Sequence, residues 1–326
     1  MLDYIANFIS ALIRISTPII YVAICSTLSA QAGLLNMAGE SMMLVAALSG
    51  VMFSALFQNV WLGILCGMIS SMLIVLFICY ATFHMKVDLY LMSISMNMAL
   101  AGGVVFFVWV VCGNKQNTAG YIESLALGNV DIPIIKDIPI LGTILSGHNL
   151  FTYFALIMTF VVWFILYKTK LGLQIRAIGQ NPKAAESVGI NVEKIYTVAF
   201  LMAAAVGSFG GMYLSMGYQN FFSKGLTGSR GFVGMAAATI GKNTPLGAFL
   251  MSFVFGIAYA MTNYLMPMIK DNYLVMALPF IITTIVYLVI CAIRTSAEKR
   301  QLLAKRKALL KMEMQEKMAQ ENKLSQ

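Results

Sequence analysis

Apolar residues come in long blocks along this chain. The stretch "IVLFICYATF" closes one block, and "FTYFALIMTFVVWFILY" contains no charge at all. Blocks close to the ~20 residues that cross a bilayer read as transmembrane helices, because backbone polar groups in lipid must be satisfied within the segment. The pattern predicts spans at roughly 11–31, 39–57, 60–82, 89–112, 148–168, 195–216, 231–243, 245–266 and 273–293. Three connectors interrupt them, at 83–88, 113–147 and 169–194. The fold class expected is all-α: a polytopic membrane protein with about nine transmembrane helices and a short helix in a polar connector.

Composition agrees. The 326 residues are 60% hydrophobic and only 11% charged, with a mean hydropathy of +0.81. A water-soluble domain of this size needs far more polar surface. The opening "MLDYIANFISALIRISTPIIYVAICSTLSAQAG" lacks the basic leader and short apolar core of a secretory signal. The net charge of +9 is concentrated. Residues 294–326 hold nine Lys/Arg against four Glu, which leaves +4 for everything before them. That distribution is a membrane-protein bias rather than a nucleic-acid footprint. The organisation expected is a transmembrane domain over 1–293 and a basic tail over 294–326.

Lys/Arg placement sets orientation. Lys168, Lys170, Arg176, Lys183 and Lys194 cluster in the 168–194 region, so that region and the basic tail are expected on the cytoplasmic side. An even number of crossings must separate them. That requirement makes "GFVGMAAATIG" a crossing despite its shortness, its Gly and Ala suiting close packing. The connector 113–147 then falls outside, folded as short helices and turns, either a passive cap or a docking surface for an extracellular binding protein. The N-terminus falls outside as well. "GESMMLVAALSG" and "SRGFVGMAAATIG" form a faint echo that would run in opposite senses, as in an inverted repeat or by chance.

Catalytic chemistry is absent from the pattern. The two histidines, His84 and His148, lie in connectors on opposite predicted sides, and no triad, HExxH or carboxylate pair occurs. "GMAAATIGKN" is not a phosphate loop: its glycines are too far apart and no Ser/Thr follows Lys242. Cys25, Cys66, Cys79, Cys112 and Cys291 have no metal-ligand spacing and read as packing residues. The expectation is therefore no catalytic residue, no metal and no cofactor on this chain, with any ATP bound by another polypeptide. Span interiors are nearly free of charge. Glu40 starts a span, where the helix dipole favours an acid and Asn36 is available as a cap; the other reading is a pathway-lining residue. Asn97 inside a span is either interhelical glue or a solute contact. Arg230 stands at a helix N-terminus that disfavours a cation, which calls for an acidic partner, on this chain or another subunit.

The most informative stretch is "LGLQIRAIGQNPKAAESVGINVEK" (171–194). Asn181 can cap a helix that starts at Pro182 and is stopped by Gly189, with Gly179 bounding the other side. A helix of about two turns is not stable alone and needs a groove to sit in. Ala184 and Ala185 give it a smooth face with Lys and Glu at the flanks, a way for one polypeptide to grip another.

"RAIGQNPKAAESVGINVEK" resembles the coupling region of the permease subunits of ABC importers in the ribose, branched-chain amino acid and nucleoside group. "GLLNMAGESMMLVAAL" and "GSRGFVGMAAATIGKNTPLGAFL" resemble two further motifs of the same permeases, in the same order. Within the group, Asn36, Gly39 and Glu40 and the compact length are most similar to the shorter permease of nucleoside and simple-sugar systems. The resemblance implies a second permease subunit, a cytoplasmic ATP-binding subunit and an extracellular substrate-binding protein. It makes 182–188 the coupling helix, with Arg176, Gly179, Asn181, Pro182, Ala184, Ala185 and Gly189 as coupling residues. Asn36, Glu40, Asn97 and Arg230 become pathway candidates. The function expected is a plasma-membrane permease of a prokaryote for ATP-driven nucleoside or simple-sugar uptake; a stand-alone secondary transporter or facilitator is the competing class. The tail is longer than the family leads one to expect and reads as a surface helix near anionic lipid.

Overall fold

A computed structural model describes residues 2–122, 124–131, 141–265, 281–282, 284–293, 295–296 and 299. The chain divides after Pro279. In the second unit, Thr284–Ile293 is a short apolar helix. The basic tail beyond residue 299 and the first part of the expected 273–293 span, through residue 280, lie outside the described residues.

The first unit is a helical bundle. Its helices are α1 (Leu2–Gln31), α2 (Gly39–Phe57), α3 (Val60–Phe83), α4 (Leu89–Cys112), α5 (Leu141–Leu145), α6 (Leu150–Lys168), α7 (Lys170–Gln180), α8 (Pro182–Ser187), α9 (Val192–Met212), α10 (Arg230–Ile240) and α11 (Pro245–Leu265). Two-residue strands β1 (Asn129–Val130) and β2 (His148–Asn149) pair antiparallel, with Val130 opposite His148. Among the described residues, seven helices are long and apolar enough to cross a membrane: α1, α2, α3, α4, α6, α11, and α9 continued by the π-helical turn Tyr213–Tyr218. The connector 113–147 holds β1, α5 and turns, and Asn117 bridges to Ser223.

The scarce polar residues sit where helices begin. Asn59, Asp88, Asn149, Thr169, Asn181 and Asn191 each accept a backbone N–H of the helix they open, satisfying donors that have no intrahelical partner. The residues preceding α2 and α10, Ala38 and Ser229, make no side-chain cap.

The count of nine is corrected at 231–243. The helix there, α10, has 11 residues, about 16 Å at 1.5 Å per residue. That is roughly half of a ~30 Å hydrocarbon core. Its end lies beside the end of α1, where Gln31 Nε2 donates to the Asn243 carbonyl at 2.6 Å. Its start lies at mid-length of α1, since the Cβ position of Gly234 faces Val22 and Ala23. The rest of the passage is the loop 219–229, tied to 116–118 by Thr118 N to Phe222 O (2.9 Å) and Lys224 N to Gln116 O (2.8 Å). Phe222 and Leu226 are buried. Irregular backbone at this depth is tolerated where it is packed in protein, as at Phe222, Leu226 and Thr227, or lines a cavity, as at Lys224, Gly225 and Gly228.

α1, α2 and α9 form the packed centre, with Tyr21, Ile24, Met42 and Phe200 fully buried. α4 stands at the margin: Met98 is 75% exposed, Phe106 62% and Val110 61%.

At the end of the bundle away from α7 and α8, His148 is buried and its Nε2 donates to the Ile144 carbonyl at 2.7 Å. Burial holds its pKa below the ordinary 6.5, the nearby Arg14 cation adds to the lowering, and the Ile144 bond opposes it. The unfolded histidine therefore takes up a proton first as pH falls. The stabilisation is complete above about 6.5 and is lost on acidification through that range. The melting temperature in detergent should fall between pH 7 and 5 more steeply for the wild type than for His148→Gln; parallel profiles would refute this.

Candidate functional site

Two places gather the residues singled out by the sequence. The first is midway along the bundle, where α2 and α10 begin side by side. Gly39 faces Val22 of α1, nine residues before Gln31, or roughly 13 Å from the end of that helix. Glu40 therefore stands near the middle of the apolar thickness. Its Oε2 accepts Gly231 N at 2.8 Å and its Oε1 accepts Ser229 N at 3.2 Å. The carboxylate caps a helix distant in sequence, in place of the local side chain that α10 lacks. Gly231 makes this possible, because a Cβ there would overlap the Glu40 carboxylate and backbone. α2 is capped in the same indirect way. Asn97 Oδ1 on α4 accepts Ser41 N at 3.0 Å, and Asn97 Nδ2 donates to Met37 O at 2.8 Å.

Asn36 works one step earlier. Its Oδ1 accepts Ala38 N at 2.9 Å and its Nδ2 donates to Ser29 Oγ at 3.3 Å, so it fixes the turn before α2. Arg230 finds neutral partners. Nη1 donates to the carbonyls of Leu226 and Thr227, both at 3.2 Å, and the guanidinium lies 5.3 Å from the Tyr259 ring centroid. No acid pairs with it among the described residues. Glu40, Asn97, Ser41, Lys224 and Thr227 line a cavity of about 280 Å³. Ser41, Lys224 and Thr227 were not legible beforehand: "SKGLTGSR" reads as a polar loop, and only its return into the bundle brings it against α2 and α4.

The second place is α7–α8. Thr169 opens α7, and Arg176 stacks 5.0 Å from the Tyr167 ring centroid. Gly179 meets the end of α1: a Cβ there would overlap the Gln31 carbonyl, and Gly33 opposite it has φ +81°. Only glycine suits both positions, one for closeness and the other for its left-handed backbone. Asn181 Oδ1 accepts Ala184 N at 3.1 Å. Gly189, at φ +86°, ends the turn. Residues 180–189 are exposed with one exception. Ala185 is buried in the cluster that contains Ile175, Ile178 and Ile195. The expected smooth face thus divides: Ala185 anchors α8 inward, while Pro182, Lys183 and Ala184 face out. Val188, 75% exposed, joins them; its signal is an apolar residue inside a polar segment. Among the described residues no cluster of three His, Cys, Asp or Glu side chains occurs.

The family described as branched-chain amino acid transport system / permease component matches residues 8–287. The guanosine ABC transporter permease protein NupQ of Bacillus subtilis (strain 168) is 30% identical over 295 residues, 87% of this chain and 91% of that protein. The nucleoside ABC transporter permease protein NupC of Lactococcus lactis subsp. cremoris (strain MG1363) is 30% identical over 283 residues, 83% and 88% of the two chains. The putative glucose ABC transporter permease protein TsgC13 of Haloferax volcanii is 25% identical over 266 residues, 80% and 78%. No solved structure matches.

Glu40 gives a direct test. Removing its carboxylate strands the buried Gly231 N–H, at a cost of about 1–3 kcal/mol, and leaves the half-buried Ser229 N–H to water in the cavity. Glu40→Ala should lower the detergent melting temperature and speed hydrogen exchange at Ser229–Val233. Glu40→Gln keeps one acceptor oxygen and should fall between. Unchanged exchange in both variants would mean that α10 does not depend on this cap.

Proposed function

Since the chain belongs to the permease-component family of branched-chain amino acid transport systems, we propose that it is the membrane subunit of an ATP-driven nucleoside importer. In this reading a cytoplasmic ATP-binding subunit docks on α8, a second permease completes the pathway, and an extracellular binding protein delivers the solute. The observation that carries the reading is the nearly end-to-end similarity to two nucleoside permeases. The glucose-permease similarity is weaker, so sugar uptake stands second.

The mechanism is alternating access driven through contacts. Ala185 ties α8 to α7, and Gly179 of α7 lies on Gln31 and Ala32 at the end of α1. Gln31 bonds Asn243 just beyond α10, and the other end of α10 is held by Glu40 in the mid-bundle cavity. A pull on the exposed helix Pro182–Ser187 is therefore transmitted to the half-helix whose start faces the pathway. Half-helices that begin near the midplane suit such a role, because their first N–H groups lack intrahelical partners and can bond a side chain or a solute there. The open flank of α4, where a Cβ on Gly102 or Gly103 would meet empty space, leaves room for the second permease. A single carboxylate halfway through the bundle also favours a rival, an ion-coupled carrier acting alone. Against it, both carboxylate oxygens already serve α10.

Reconstitution separates the two. Alone in liposomes the protein should move no nucleoside down a gradient or with an ion. With its ATPase, second permease and binding protein it should concentrate nucleoside at the expense of ATP. Ala184→Cys should crosslink to the ATPase subunit in intact cells. Unaided transport, or the absence of any crosslink from Ala184 and Val188 positions, would refute the importer reading.

A further inference from the structure

We propose that two cavities meeting at Val104 form one solute chamber, in which a hydroxyl-bearing end lies against Glu40 and Asn97 and a planar apolar end lies among aromatic side chains. The inference rests on the importer reading and specifies where and how the solute is held.

The smaller cavity, about 280 Å³, is lined by Glu40, Ser41, Asn97 and Thr227. The larger, about 1110 Å³, is lined mostly by aliphatic side chains, with the rings of Phe53, Phe107 and Tyr121 among them. Val104 lines both. Small-molecule sites usually occupy roughly 300–1,000 Å³, so the polar cavity lies at the small end of that range and suits a sugar ring. A carboxylate has about four acceptor positions. Glu40 uses one on Ser229 N and one on Gly231 N, and its side chain remains partly exposed. The free acceptor positions match hydroxyls on adjacent carbons. Asn97 donates one amide hydrogen to Met37 O and retains a second. Lys224 is the opposite charge in the same lining, so the wall carries no net formal charge. A neutral polyol enters without an uncompensated charge, whereas a phosphate would face Glu40.

The aromatic cavity suits the rest of a nucleoside. A flat heterocycle stacks on Phe or Tyr without a specific hydrogen-bond pattern. A free hexose would fill only the polar end. The division into a small acceptor-rich end and a wide aromatic end thus fits a nucleoside better than a monosaccharide.

The test uses the complete permease–ATPase complex, labelled without the binding protein so that discrimination comes from the membrane part. An azidopurine nucleoside is photolysed on the complex and its attachment mapped by mass spectrometry. Label is expected on Phe53, Phe107 or Tyr121. Adenosine should compete, its dideoxy analogue at least about tenfold less well, the loss expected when a hydrogen bond to a charged acceptor is removed, and oleate not at all. Ala101→Phe fills the polar cavity from an exposed wall position, and Phe107→Ala removes a half-exposed ring; each should lower label yield about tenfold, on the same ground of lost site contacts. Label elsewhere, equal competition by the dideoxy analogue, or displacement by oleate would overturn the chamber. A complete importer that moves adenosine normally with Ala101→Phe overturns the chamber alone, and one that moves no nucleoside overturns the importer reading.

Discussion

The carboxylate of Glu40 on two backbone N–H groups of α10 is the contact on which the centre of this bundle depends. Placing an acidic side chain at mid-helix depth in a membrane costs about 2.5–3.5 kcal/mol on insertion scales. Two hydrogen bonds to a charged acceptor return about 1.5–3 kcal/mol each, and the positive end of a helix dipole contributes further. The balance is close to neutral or favourable, and only because the helix begins where the charge is. A continuous helix through this region would present no free N–H groups, and the acid would then stand unpaired. The short helix and the acid require each other.

The remaining features of the node follow from that pairing. Gly231 has no side chain because a Cβ would displace the carboxylate. Arg230, its neighbour, is kept from the acid; its Nη1 bonds the Leu226 and Thr227 carbonyls and its guanidinium lies over the Tyr259 ring. The start of α2 would be uncapped in its turn, and Asn97 of α4 supplies the acceptor. Each polar group here completes a backbone that lipid cannot complete. The same arrangement leaves side-chain hydrogen-bonding capacity facing a cavity in an otherwise apolar interior.

Much of this fold was legible in the chain. α2 runs over 39–57 and α4 over 89–112, as the apolar blocks indicated, and α8 begins at Pro182 behind an Asn181 cap. These features are local: a block length, a cap one to three residues from the donor it serves, a glycine stop. The half-length of α10 and the roles of Ser41, Lys224 and Thr227 were not legible. The Glu40–Gly231 bond joins residues 191 positions apart, and no window of sequence contains both. Ala185 illustrates the same limit at short range. Periodicity places it beside Ala184, but only the packing of α8 against α7 shows that one alanine is buried and the other exposed.

A half-helix held by tertiary caps also behaves differently from a full crossing when it moves. Shifting a continuous transmembrane helix at its centre would break backbone bonds that nothing in lipid replaces. Shifting α10 at its start exchanges two bonds to Glu40 for bonds to a solute hydroxyl or to water entering the cavity. The net cost of such an exchange is at most about 1.5–3 kcal/mol per bond, the worth of a bond to a charged acceptor, against more for a bond lost outright in an apolar medium. At its other end α10 meets α1 and, through Gly179, the exposed α8. The break in the helix therefore puts exchangeable hydrogen bonds at the mid-bundle cavity and close backbone packing at the other end of the chain of contacts. Under the proposed importer reading, that asymmetry suits a gate worked from outside the membrane.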